Sequence, residues 1–335
     1  MNNKSKFGSF VSKNMILVFL VVLCAVFGIL NHNFFSSVNL INLLQQMCVN
    51  ALLASGLSFA IILGGIDIAV GSEMAVAGVL AALGCKWWHN NVHELTYMAA
   101  LLILLLVAVI CGLVMGLVIG YLIAFHDLLP MICTLAFQTI FRGLAYIISG
   151  GGPVTGLPTT FALLGAKRLF VVPGFPNGLL PTSVIFTVIV VLAMHLLLTK
   201  TVFGRHVFAA GSNRNVAHLA GINVRKVTVL CHILCAVTAC CAGVVTASKL
   251  QNGQPNIGES YEMYAIASCV LGGTSLTGGR GSVARAMFGV AVIAVINNGL
   301  NLLNVNAYWQ KVVIGAIIIL AVVLDMWQQR KEKAA

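Results

Sequence analysis

Long apolar runs follow one another along the chain, separated by short polar or glycine-rich stretches. Several runs reach the roughly 17 to 25 residues that a helix needs to cross a bilayer core, and none alternates with the period of two typical of barrel strands. The pattern predicts about ten transmembrane helices, with the shorter ones broken or re-entrant. The predicted spans are residues 15–30, 43–63, 73–85, 97–125, 129–149, 181–199, 227–248, 262–275, 286–301 and 309–327.

The composition indicates an all-α polytopic membrane protein. Of 335 residues, 60% are hydrophobic and 8% are charged, and the mean hydropathy is +1.01, which is too apolar for a surface facing water. The first run follows several lysines as in a signal peptide, but no small-residue cleavage pattern follows it, so we predict a retained helix. The ten cysteines lie mostly in apolar runs without metal-ligand spacing, which favours packing and predicts no metal site.

The basic residues report membrane topology. The net charge is +11, but Lys and Arg are spread between apolar runs and form no face with interleaved aromatics, which argues against nucleic acid as a partner. An even number of spans puts both termini on one side, and basic residues near both ends indicate the cytoplasm. We predict cytoplasmic tails at 1–14 and 328–335, one transmembrane domain at 15–327, a proline-rich periplasmic cap at 150–181 and a cytoplasmic loop at 200–226.

Two glycine-rich stretches interrupt the apolar pattern. GGIDIAVGS (Gly64–Ser72) and LGGTSLTGGRGS (Leu271–Ser282) both fit L-G-G-x-[Asp/Ser]-[Ile/Leu]-x-x-G when Leu63 is included. Such clusters permit unwound backbone at membrane depth where it is buried or lines a wet cavity, and tight turns between helices are an equally weighted alternative. The candidate residues for helix breaks or a translocation path are Gly64, Gly65, Asp67, Gly71, Ser72, Gly272, Gly273, Thr274 and Ser275.

Two charged side chains in these apolar surroundings need partners. Asp67 is conspicuous as a binding group, but the second glycine stretch favours a mechanical break that Asp67 holds by capping or pairing. Arg142 lies within a predicted span, where an arginine at the helix centre costs roughly 2.5 to 3.5 kcal/mol on insertion scales. We expect Asp67 or Glu73 to pair with Arg142, either as a helix-packing ion pair or beside a solute contact.

Asparagines cluster in INNGLNLLNVNAYWQ, residues Ile296–Gln310. Amides can hydrogen-bond hydroxyl-rich solutes or neighbouring backbone, so Asn297 and Asn298 are further candidates for the path. The adjacent Tyr308 and Trp309 suit an aromatic belt at the membrane interface or a sugar-stacking surface, and the belt is the favoured interpretation.

The internal loop, KTVFGRHVFAAGSNRNVAHLAGINVRK (200–226), predicts a short helix parallel to the membrane. Asn213 and Asn215 are possible N-caps, and Gly221 closes the helix. A permease driven by a separate ATPase presents such a small, stiff element to its motor. From composition alone, a basic loop that only sets topology is favoured over this coupling role.

The sequence argues against an enzyme. It has no G-x-x-x-x-G-K-[Ser/Thr] phosphate loop, no hydrolase elbow and no metalloprotease helix, and its eight acidic residues form no proton-relay array. The chain is therefore not itself an ATPase. An ion-coupled carrier or a channel without a motor stays an alternative.

Four stretches resemble the inner-membrane permease of ribose-type sugar ABC importers: GGIDIAVGS, FGRHVFAAGSNRNVAHLAGINVRKV, YAIASCVLGGTSLTGGRGSV and NNGLNLLNV. The resemblance covers nearly the whole chain in the same order. Members of that family usually have GGIDLSVG at the first motif, where this chain has Ile68 and Ala69, and often a lysine at Arg280. The substitutions leave the solute open, because permeases for nucleosides, autoinducer-type sugars and branched-chain amino acids look alike at this level.

The resemblance implies partners and a mechanism. It implies a permease dimer, most simply a homodimer, in membrane lipid, which takes a small solute from a periplasmic binding protein by alternating access. A cytoplasmic two-cassette ATPase would use ATP and Mg²⁺, and this chain would bind no cofactor. The family's coupling region corresponds to Gly204, Arg205, Gly211, Asn213, Asn215, Ala217, Ala220, Gly221 and Ile222.

Overall fold

The computed structural model describes residues 15–92, 94–169, 180–306, 308–317, 319 and 323, and over these residues the protein is a helical bundle. The predicted tails, 1–14 and 328–335, lie outside the described residues, as does much of the last predicted span. The helices are α1 (Met15–Leu30), α2 (Ser37–Ile62), α3 (Val70–Asn91), α4 (Tyr97–Phe125), α5 (Pro130–Ser149), α6 (Thr182–Lys200), α7 (Val202–Ser212), α8 (Arg214–Leu219), α9 (Val224–Leu250), α10 (Tyr261–Leu271) and α11 (Val283–Leu302), with 3-10 turns at His32–Phe35 and Thr159–Leu163.

Six of the described helices are long and apolar enough to cross a membrane by length and composition: α2, α4, α5, α6, α9 and α11. They confirm a polytopic, mainly helical protein, while the count of ten spans and the side of the termini stay predictions. The span predicted at 73–85 is too short, because α3 has 22 residues and takes Ser72 and Lys86 into the helix. By contrast α10 has only 11 residues, about 16 Å of helix, roughly half of a bilayer core.

The centre of the bundle is α9, which packs against α2, α3 and α4. Contact with α4 is close because Gly112, Gly116 and Gly120 recur every four residues on the face toward α9. A Cβ added at Gly116 would lie 2.5 Å from the Cα of Ile233 and 2.7 Å from the carbonyl oxygen of His232. The glycines therefore set the distance between the two helices.

Burial separates inner from outer helices. In the most apolar 18-residue window of α2, 89% of the residues are buried, against 33% in α4 and 22% in α6. The exposed side chains of α6 include Val188, Ile189 and Leu192, all apolar. Such a surface matches the hydrocarbon of a bilayer, so α4 and α6 lie on the lipid-facing perimeter.

The proline-rich connection between α5 and α6 folds over one end of the bundle. In its described part it forms no long helix and pairs Arg168–Leu169 with Leu180–Pro181. The Gly165 N–H donates to Ser248 Oγ of α9 at 2.9 Å, and Lys86 Nζ of α3 donates to the Thr155 carbonyl at 2.8 Å. The described residues of this connection contain no spanning helix, and the periplasmic cap at 150–181 stays a prediction.

Candidate translocation and coupling site

The first glycine stretch interrupts the helical structure between α2 and α3. Residues 63–69 form this first break, and Gly64 has φ +87°, a conformation that L side chains rarely adopt. The Asp67 carboxylate folds back so that Oδ1 accepts a hydrogen bond from the Ala69 N–H at 3.0 Å. Just beyond it, the Ser72 hydroxyl donates to the Ala69 carbonyl at 2.8 Å. The Asp67 side chain thus takes up the Ala69 N–H at the start of α3, one of the donors for which a helix start has no intrahelical partner.

Asp67 pairs with a histidine from the centre of the bundle. Asp67 Oδ2 lies 3.1 Å from His232 Nδ1 of α9, and both side chains are buried. Pairing is confirmed for Asp67, but the predicted partner, Arg142, is wrong. His232 was missed by the sequence analysis, although it is a polar residue in the apolar run TVLCHILCAV. The pair joins the first break to α9.

Glu73 and Gly71 lie on different faces of α3. Glu73 is fully buried, and within the described part of the chain its carboxyl oxygens have no hydrogen-bond partner. Gly71 packs against the backbone of Gly258, which has φ +79°. The segment before α10 can therefore run close along α3.

Arg142 holds that segment in place. From α5 it reaches across to residues 251–260, and its Nη1 donates to the carbonyl oxygens of Pro255 and Ile257, each at 2.7 Å. Both of those residues are buried. The arginine therefore satisfies backbone acceptors that an unbroken helix would have satisfied itself, and it bonds to neither of its predicted partners, Asp67 and Glu73.

The second glycine stretch closes as a compact loop between α10 and α11. Residues 272–282 form this second break. Gly273 has φ +81°, and a Cβ added there would meet no atom of the described residues within 4 Å. The Thr274 N–H donates to the Cys269 carbonyl at 2.9 Å, and the Ser275 N–H donates to the Arg280 carbonyl at 3.0 Å. Gly272 packs against the backbone of Ala286 in α11. Both glycine stretches thus interrupt the helices, and the choice between a mechanical break and a tight turn between helices stays a prediction.

The two breaks meet each other and the end of α7. The Gly279 N–H donates to the Ile62 carbonyl at 2.8 Å, and a Cβ added at Gly278 would lie 3.0 Å from the Gly64 nitrogen. Gly211 packs so tightly on the Ile62 carbonyl that an added Cβ would collide with it. We call these five residues, Ile62, Gly64, Gly211, Gly278 and Gly279, the glycine junction.

The internal loop contains two short helices. Gly204 allows α7 to pack against the Leu198 carbonyl at the end of α6. The Asn213 side chain caps α8 by accepting from the N–H groups of Asn215 and Val216 at 3.0 and 3.1 Å. The helix ends before Gly221, which has φ +82°. The predicted short helix and its asparagine cap are confirmed, with Asn213 as the cap.

The surface of this loop is partly apolar. Leu219 is 86% exposed and Val216 61% exposed, whereas Ala217 is buried against the bundle. Arg205, Asn215 and Ala220 are exposed, and Ile222 is half-buried. Beside α8, a cavity of about 700 Å³ opens toward the turn between α4 and α5, and Arg214, His218, Arg225 and Asp127 are among its lining residues.

Asn297 and Asn298 do not lie at the glycine junction. Asn298 and Asn39 exchange two amide hydrogen bonds of 2.9 Å, and Asn39 is near the start of α2, whereas the junction is at its end. Across the described ranges, no cluster of three or more His, Cys, Asp or Glu residues is placed to hold a metal ion. The roles assigned to the predicted residues stay predictions.

Comparison with known proteins gives the chain's relatives. A family model described as "Branched-chain amino acid transport system / permease component" matches residues 39–322. The chain is 40% identical over 306 residues to the ribose import permease protein RbsC of Bacillus subtilis (strain 168), covering 91% of this chain and 90% of the relative. No solved structure matches.

Two further relatives carry other sugar names. The chain is 35% identical over 307 residues to the D-allose transport system permease protein AlsC of Escherichia coli (strain K12), covering 91% of this chain and 89% of the relative. It is 36% identical over 321 residues to the L-arabinose transport system permease protein AraH of the same strain, covering 95% and 92%.

Proposed function

This chain belongs to the family described as branched-chain amino acid transport system permease components, and on that premise we propose that it is the membrane-spanning subunit of an ATP-driven importer for a ribose-type monosaccharide. It is a multi-pass protein of the bacterial inner membrane. The names of three relatives, permeases for ribose, allose and arabinose, support a sugar as the solute.

The observation that carries the proposal is the glycine junction. Gly211 is at the end of α7, next to the capped helix α8, and it packs on the last carbonyl of α2. The same carbonyl accepts from Gly279 of the second break. A displacement of α7 and α8 is therefore transmitted directly to both breaks, because no side chain lies between these backbones to absorb it.

The proposed cycle uses this contact. ATP binding, with Mg²⁺, closes a two-cassette ATPase that docks on the cytoplasmic face at α8, where Leu219 and Val216 are exposed. The motion reaches the breaks through the glycine junction, and two permease subunits rock about a path between them. A periplasmic binding protein delivers the sugar at the opposite face. This chain forms no covalent intermediate, and Asp67 and Arg142 keep the broken ends attached to α9 and α5.

Reconstitution tests the proposal. The permease is placed in liposomes with its ATPase and binding protein, and uptake of D-ribose is measured with ATP inside or outside, with and without the binding protein. We expect D-ribose uptake only when ATP is available to the ATPase and the binding protein is present. Uptake without ATP would identify a carrier or channel, and ATP-driven uptake of leucine but not of any pentose or hexose would exclude a sugar as the cargo.

A further inference from the structure

We infer that Gln138 of α5 and Tyr264 of α10 form a sugar-contacting wall of the translocation route, and that Glu262 positions the Gln138 amide. The inference rests on the proposed function and names where in the chain the solute is contacted. It concerns the region where Gln138 of α5 contacts Glu262 at the start of α10, beside residues 251–260, which Arg142 holds.

The first observation is depth. Gln138 lies near the middle of the 20-residue α5, roughly 12 Å along the helix from its first residue. Residues 251–260 run along α3 until Gly258 packs on Gly71, and α10 begins just after this contact. Gln138 and the polar residues at the start of α10 therefore lie well inside the apolar thickness of the bundle.

The second observation is incomplete burial. Gln138, Arg142 and Tyr264 are all half-buried, and Thr139 beside them is exposed. At similar positions along α6, the exposed residues are Val188 and Ile189. An amide and a guanidinium at this depth are costly against hydrocarbon, so this side of α5 borders water, whereas the exposed side of α6 borders lipid.

The third observation is the orientation of the amide. Gln138 Nε2 donates to Glu262 Oε1 at 3.4 Å, and Glu262 is only 5% exposed. Within the described residues, Glu262 Oε2 has no hydrogen-bond partner. One N–H of the amide is thus engaged, and among the described residues Oε1 and the second N–H of Gln138 have no partner and are available. Glu262 acts through Gln138 and is a positioning residue.

These groups fit a hydroxyl-rich ligand. A sugar hydroxyl both donates and accepts, and the free amide Oε1 and N–H match these two roles. Tyr264 adds a phenol and a ring that packs edge-on against Tyr261, with centroids 5.7 Å apart. A tyrosine offers an apolar face to the C–H groups of a sugar ring and a hydroxyl to its edge.

Water access is tested first, with a charged thiol reagent. Gln138→Cys and Tyr264→Cys are made in the full chain and treated in lipid vesicles with sulfonatoethyl methanethiosulfonate, which reaches only thiols in contact with water. Both variants should be labelled above the wild-type background from the ten native cysteines. The matched control is Ile189→Cys, more exposed at 61% but expected against lipid, which should stay unlabelled.

A result in which Gln138→Cys and Tyr264→Cys react no more than Ile189→Cys would overturn the water-filled route. Having variants on two different helices keeps the test valid if one of them fails to assemble. Because labelling needs no transport, this result is independent of whether the wild type imports a sugar.

Contact with the sugar is tested by separating uptake from ATP hydrolysis. In the reconstituted transporter, Gln138→Leu should reduce D-ribose uptake about tenfold or more, the effect of losing a hydrogen bond to the passing solute. ATP hydrolysis stimulated by the binding protein should change less than about twofold, and Gln138→Asn should restore part of the uptake. Thr139→Val, an exposed neighbour whose hydroxyl bonds to its own helix, is the control and should transport normally.

Normal uptake by Gln138→Leu would refute the sugar contact. An equal loss of uptake and ATP hydrolysis would also refute it, since that pattern indicates a structural role. If the wild type imports no sugar at all, the proposed function is wrong and not only this inference.

Discussion

Replacing Arg142 with methionine is predicted to loosen residues 251–260 while leaving overall stability nearly unchanged. The substitution removes the donor for two buried carbonyls, Pro255 and Ile257. A buried group left without its hydrogen bond costs about 1 to 3 kcal/mol, so the local loss is about 2 to 6 kcal/mol. Removing a cation from membrane depth returns about 2.5 to 3.5 kcal/mol. The lost hydrogen bonds and the removed charge therefore largely cancel in the total free energy of unfolding. The local destabilisation around the Pro255 and Ile257 carbonyls is not offset.

A local measurement is therefore required. Hydrogen exchange by mass spectrometry on the protein in lipid nanodiscs reports the peptide that covers residues 251–260. A loss of at least about 2 kcal/mol corresponds to exchange roughly 30-fold faster in Arg142→Met, because about 1.4 kcal/mol is tenfold. Arg142→Lys keeps the charge but lacks the planar set of donors of a guanidinium. Exchange of residues 251–260 in this variant should therefore lie between that of the wild type and that of Arg142→Met. Peptides of α4 should exchange as in the wild type.

Unchanged exchange of residues 251–260 in Arg142→Met would refute the reasoning. It would mean that water or another donor already satisfies the two carbonyls, and that the arginine does not hold the broken span.

Three further predictions concern the glycines and the coupling helix. Gly116→Leu should prevent assembly, seen as loss of the monodisperse purified protein, because the new side chain would collide with α9. Gly143→Leu should assemble normally, since a Cβ added there has no neighbour within 4 Å in the described part of the chain. Gly273→Val should assemble yet abolish uptake, since φ +81° is strained for valine; normal transport would show that the second break tolerates strain. Leu219→Glu, at the exposed tip of α8, should leave the fold unchanged and remove stimulation of ATP hydrolysis by the binding protein. Survival of both that stimulation and uptake in Leu219→Glu would show that α8 does not couple.

Local features of the fold could be predicted from the sequence because they depend on neighbouring residues. The glycines of both breaks and the asparagine that caps α8 act within a few residues of themselves, so their pattern is sufficient. The predicted span at 73–85 is too short because polar residues at the end of an apolar run need not end a helix. Burial in the bundle allows Ser72 to lie inside α3.

Contacts between distant residues could not be predicted in the same way. His232 is 165 residues from Asp67, and no spacing rule links them. For Arg142, a carboxylate partner was expected because opposite charges attract, but the acceptors are backbone carbonyls, which have no signature in the residue type. The glycine junction unites segments 62–64, 211 and 278–279, and only the three-dimensional packing of the bundle brings them together.

We propose that motion passes from α8 to both breaks through backbone contact at the glycine junction. The direct measurement is the number of D-ribose molecules imported per ATP hydrolysed by reconstituted Gly211→Ala, whose methyl group would separate α7 from the Ile62 carbonyl and lie 3.0 Å from the Gly279 nitrogen. Ser212→Ala is the control: its hydroxyl lies beside Gly279 but donates to the Phe208 carbonyl of its own helix, so its removal leaves the backbone contacts of the glycine junction in place. We expect Gly211→Ala to hydrolyse ATP but to import at least about tenfold less sugar per ATP, a loss of about 1.4 kcal/mol in coupling. An unchanged ratio in folded Gly211→Ala would contradict it.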